Sequence, residues 1–202
     1  MILSAAENIT LEQTRQRVFL ALFVALAVVL NTLEFLLPNP VPWFRIGLAN
    51  ILGITALFCY GVRELWLVNL CRIILGSLLV GRLFGPGFLL SLGGGILSAT
   101  MMSCGFSLGR KRIGPIGVSV LGALGHVSGQ LLVAWLVVVR HPGIWLLLPF
   151  FLLFAMISGI VNGLAAHFLL NSLAGHAAFR GLRERLDILT GQPDLHQQQS
   201  GN

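Results

Sequence analysis

Asn31, Glu34, Asn50, Asn69, Arg72, His126, Gln130 and Asn162 stand inside otherwise apolar runs of this 202-residue chain. A carboxylate and a guanidinium supply a charge pair, while an imidazole and several carboxamides supply both donors and acceptors. His126 and Gln130 are spaced i, i+4, which puts both on one helix face. In hydrocarbon a central Arg or Asp costs about 2.5–3.5 kcal/mol by insertion scales, so these residues require a partner, water or a ligand. Glu34, Asn50, Arg72, His126 and Gln130 are therefore the candidates for a polar cavity, with Arg72 attracting an anionic group and Glu34 orienting Arg72 or accepting from the ligand. The bland alternative is a structural network in which Glu34 and Arg72 neutralise each other. Asn162 and His167 fall toward one end of the last run, where solvation or packing accounts for them.

Other chemistries lack their residues. The only aspartates, Asp187 and Asp194, lie in the tail, so no Asp-rich pair is available to hold Mg²⁺ on a diphosphate. There is no GxxxxGK[ST] pattern, so any dependence on ATP must come from a partner. Cys59, Cys71 and Cys104 have no CxxC spacing and are expected as small buried hydrophobes. We expect no metal, no cofactor and no enzymatic activity.

The elements that must position the polar set are membrane spans. The chain is 56% hydrophobic and 10% charged, with a mean hydropathy of +0.89, far from the usual quarter of charged residues in soluble domains. Apolar runs at 18–37, 46–60, 65–80, 87–108, 113–139 and 144–170 predict six transmembrane helices. They show no strand alternation, so the fold class is an all-α integral membrane protein. Residues 1–17 are read as a cytoplasmic N-terminal segment, with Thr10-x-x-Gln13 as a weak capping pattern, and 18–170 as the transmembrane domain. Residues 171–202 hold a surface-lying amphipathic stretch, 177–189, and a Gln-rich tail expected to be disordered.

The net charge of +6 does not point to nucleic acid, because the basic residues are spread through short connections. Placing both termini in the cytoplasm puts nine of them inside and three (Arg45, Arg82 and Arg140) outside, with Arg72 in a span. In that N-in, C-in topology the five cavity candidates lie at or outside the midplane. The connection 38–45 carries three prolines and ends on Arg45, a residue placed to guard an outer entrance. Ser91 precedes Gly93, Gly94 and Gly95, a run that weakens a helix and admits either a ligand or a neighbouring backbone. Ala21/Ala25, Gly105/Gly109, Gly125/Gly129 and Gly159/Gly163 repeat small residues on one face, as close helix packing requires.

Four stretches in order, 45–51, 72–78, 91–94 and 119–134, resemble the Gx transporter family, also labelled heptaprenyl diphosphate synthase component I. Val127 departs from the Asn that commonly follows the His in that family. The family is similar to the substrate-binding S components of energy-coupling factor transporters, six-helix proteins that hold a vitamin or related compound in an outward cavity. The resemblance implies a subunit of a small-molecule importer in a bacterial inner membrane, binding a vitamin-, flavin- or isoprenoid-like ligand through the candidates above, Arg45 and Ser91 included. It implies that Ala21 and Ala25 contact a coupling subunit and that ATPase subunits act in trans. The label implies an alternative, a membrane accessory to a prenyl diphosphate synthase. A structural subunit of a membrane complex is the third reading.

Overall fold

Helix α2 (Ala49–Cys59) carries no polar residues but Asn50 and Thr55, and each residue from Leu52 to Cys59 is buried. A helix without a polar face must be enclosed, and α2 is surrounded by α1 (Ile2–Leu36), α3 (Val62–Leu79), α5 (Pro115–Val133) and α6 (Leu148–Ala174). α4 (Pro86–Leu108) closes the bundle between α3 and α5. The computed structural model describes residues 2–36, 47–109 and 113–176. The expectations for Arg45, the proline-rich connection, the stretch 177–189 and the tail lie outside them.

The helix ends follow local rules. α4 and α5 each open on a proline, preceded by Gly85 and Gly114 in extended conformations, the position where a missing N–H costs nothing. α2 and α3 are joined through Gly61, whose φ of 130° is open to glycine alone. Where the sequence suggested a capping pattern at Thr10, the helix runs straight through from Ile2. The lead-in is rich in good helix formers such as Ala5, Ala6, Leu11 and Gln13, and the first span continues it without a break.

The large apolar side chains that remain exposed, among them Leu22, Leu26 and Val29 on α1 and Phe150, Leu153, Ile157 and Phe168 on α6, form an outer surface suited to lipid. Four helical stretches are long and apolar enough to cross a membrane: Gln13–Glu34, Pro86–Leu108, Pro115–Val139 and Pro142–Ala174. α2 is shorter, at 11 residues, and α3 carries Arg63, Glu64 and Arg72. The third of these stretches ends in a π-helical turn, Ala134–Val139. The fourth begins with a 3-10 turn, Pro142–Leu147. Trp135 and Trp145 meet between them with ring centroids 6.0 Å apart.

Glycines set the helix seams. A Cβ on Gly129 would fall 2.5 Å from the carbonyl oxygen of Gly93 and 2.9 Å from the Cα of Gly94, so α4 and α5 touch backbone to backbone. Cβ atoms on Gly159 and Gly163 would fall 2.8 and 2.6 Å from the Cα atoms of Val120 and Ile116, which fixes α6 antiparallel on α5. The run at 93–95 thus admits a neighbouring backbone, and α4 stays helical through it. Ala21 and Ala25 are exposed, unlike these glycines. Cys59 is buried as expected, whereas Cys104 is exposed on the outer face of α4.

Candidate functional site

Arg72 lies near the middle of α3, 6% exposed. One turn earlier on the same helix, the Asn69 carboxamide oxygen accepts from Arg72 Nε at 3.1 Å and from Nη2 at 2.8 Å. Nη2 also donates to Asn50 Oδ1 on α2 at 3.5 Å. Asn69 is held in its turn, because its Nδ2 donates to the carbonyl oxygen of Gly95 on α4 at 2.8 Å. The spacing i, i+3 brings Asn69 and Arg72 to one helix face, and Gly95 leaves the room that a side chain on α4 would fill.

The α1 side of this centre is polar as well. Asn31 Nδ2 donates to the main-chain carbonyl of Arg72 at 3.3 Å. One turn on, the buried Glu34 carboxylate accepts the backbone N–H of Leu48 at the start of α2. A carboxylate there satisfies one of the donors that a helix N-terminus leaves open and complements its dipole. Leu48 follows Gly47, whose φ of 78° favours glycine, and Gly47 packs toward Asn162 of α6, itself 3% exposed. Asn162 Nδ2 donates to Ser158 Oγ at 3.2 Å.

His126 and Gln130 stand on the far side of α4. A Cβ on Gly94 would fall 2.8 Å from Gln130 Cγ and 3.1 Å from His126 Cε1, while the Gly95 position faces Asn69 and Ile73. Consecutive glycines of α4 therefore separate the Arg72 group from the His126/Gln130 pair with bare backbone. Ser91, one turn before Gly95 and 5% exposed, donates to its own helix at the Gly87 carbonyl, 2.8 Å away.

The structure therefore gathers Glu34, Asn50 and Arg72 around α2 and α3, and sets His126 and Gln130 against the α4 glycines. Three residues left out of the candidate list join the first group. Asn69 was legible from its i, i+3 spacing to Arg72, and Asn31 from its spacing one turn before Glu34. Asn162 was set aside as a residue near a helix end, but α2 starts deep enough in the bundle for Gly47 to reach it. Among the described residues no group of three or more His, Cys, Asp or Glu could hold a metal ion.

Residues 23–169 match the profile of the family described as Heptaprenyl diphosphate synthase component I. The chain belongs to that family. The match runs from α1 to α6 and covers every polar residue just described, while Ala21 lies two residues before its start. No curated protein and no solved structure matches this chain. As a member of the component I family it is an all-helical, multi-pass membrane protein, by the four membrane-length apolar stretches.

Proposed function

We propose that this protein is the non-catalytic ligand-binding subunit of a small-molecule importer in a bacterial inner membrane. It holds an anionic vitamin-, flavin- or isoprenoid-like molecule from the outer side. The observation that carries the reading is the buried Arg72 guanidinium, fixed by two neutral carboxamide oxygens on α2 and α3. The carboxamides orient a permanently charged group in a medium where charge interactions are strong, so the guanidinium is placed to attract an anion. Asn50 and Glu34 supply further polar contacts beside Arg72, Ser91 and Arg45 are proposed for the outer entrance, and His126 and Gln130, which lie across the α4 backbone from Arg72, would serve a part of the ligand that reaches past it. In this reading both termini are cytoplasmic, and the exposed Ala21 and Ala25 face a coupling subunit served by ATPase subunits in trans.

The family name favours a second reading, a membrane accessory that assists a prenyl diphosphate synthase. Native mass spectrometry of the protein purified in mild detergent from its own host separates the two. The importer reading expects a stoichiometric small molecule in the wild type, lost in both Arg72→Lys and Arg72→Met, together with coupling and ATPase subunits in gentler preparations. A wild-type protein that is empty and carries a soluble prenyl synthase would replace it with the accessory reading. Lysine keeps the charge at position 72 but cannot reproduce the two-nitrogen grip on Asn69.

A further inference from the structure

α1 and α3 leave between them an open groove of about 650 Å³ on the outer surface of the bundle. Its floor is Ala21, Ala25 and Val28 of α1, its opposite wall is Leu67, Leu75 and Leu78 of α3, and among the described residues its only charged lining residue is Arg17. Arg17 is exposed, and it directly precedes the apolar stretch that begins at Val18. The groove therefore has an apolar body and a cation at one end, near the start of the first membrane-length stretch.

We infer that this groove is a binding site for one membrane lipid with an anionic headgroup, its chain lying along Ala21 and Ala25 and its phosphate at Arg17. The α1 wall, residues 17–28, rises about 16 Å and the α3 wall, residues 67–79, about 18 Å at about 1.5 Å per residue. Each is close to half of the roughly 30 Å hydrocarbon core. A partner's spanning helix would follow a wall of twice that length. A lipid chain anchored in one leaflet matches it, and the cation at one end gives the direction. The lipid covers this face in the chain by itself and must leave if a coupling subunit seats there. The inference is independent of the Arg72 site.

The test is native mass spectrometry of the full-length protein in mild detergent, supplied with equal amounts of phosphatidylglycerol and phosphatidylcholine of the same acyl chains. A basic residue near a membrane surface favours an anionic lipid by about fivefold, so one phosphatidylglycerol per chain should be retained at about that preference. Arg17→Ala should bring the ratio close to one, and Arg17→Lys should keep it. Ala21→Leu with Ala25→Leu, which fills the floor, should remove retention of both lipids. Arg72→Lys should leave lipid retention unchanged, which separates this site from the ligand site. Equal retention by the wild type, an unaltered preference in Arg17→Ala, the same loss in Arg63→Ala, or retention that survives the filled groove would each overturn the assignment.

Discussion

Replacing Asn69 with leucine keeps the branched shape of the side chain but removes its amide, and with it the hydrogen bonds that tie Arg72 through Asn69 to α4. Two bonds from the guanidinium and one to the Gly95 carbonyl are lost. Only the bond to Gly95 crosses between helices, where the average is about 0.6 kcal/mol; the two within α3 share one acceptor and together contribute about 1.5–3 kcal/mol, as bonds from a charged donor. Stripping partners from a buried charge raises the cost toward about 3–5 kcal/mol. We therefore expect Asn69→Leu to destabilise the protein by about 2–4 kcal/mol, measured by reversible unfolding in mixed detergent micelles. The decisive measurement is a double-mutant cycle with Arg72→Met. Methionine at 72 takes away the charge that Asn69 serves, so Asn69→Leu should cost at least about 1 kcal/mol less in the Arg72→Met background. Arg72→Met alone should cost about 1–3 kcal/mol, because the Asn69 and Asn50 carboxamide oxygens lose the donor they accept from. Additivity within the usual 0.3–0.5 kcal/mol for independent sites would refute the clamp and leave Asn69 as ordinary packing.

Other outcomes follow from single contacts. Gly129→Ala places a methyl group against the backbone of Gly93 and Gly94, where nothing flexible can yield; a loss of about 1–3 kcal/mol is expected from overpacking. Gly87→Ala, with nothing within 4 Å of the added carbon, should be neutral or slightly stabilising, and equal effects at the two positions would contradict the α4/α5 seam. Gly47→Ala should cost about 1–2 kcal/mol for its positive φ, again by unfolding in micelles. Glu34→Gln keeps an oxygen for the Leu48 N–H and should preserve the fold, whereas Glu34→Leu should cost about 1–3 kcal/mol by leaving that buried donor unpaired. Identical stabilities for the two Glu34 variants would show that the bond to α2 carries no weight.

The sequence by itself determined the class of solvent this chain folds in. Long continuous apolar runs with few charges leave hydrocarbon as the only medium that accepts their surface, and six α-helices result among the described residues. It also singled out Glu34, Asn50 and Arg72, since ionic and carboxamide groups within such runs need partners wherever the helices go. Boundaries at Pro86 and Pro115 were close to legible because proline and glycine act locally. What partners the polar groups found was a matter of helix neighbours and register, which no local rule supplies. Only the packing made α2 the enclosed helix, gave Asn69 to Arg72, set Glu34 on the first turn of α2, and brought Gly47 to Asn162. The same holds for the glycines: their four-residue spacing announced close contact, but exposure separates Ala21 and Ala25, left facing outward, from Gly159 and Gly163, spent on α5. A side chain's chemistry is fixed by its own atoms, while its role depends on which backbone arrives opposite, and that is decided by the fold as a whole.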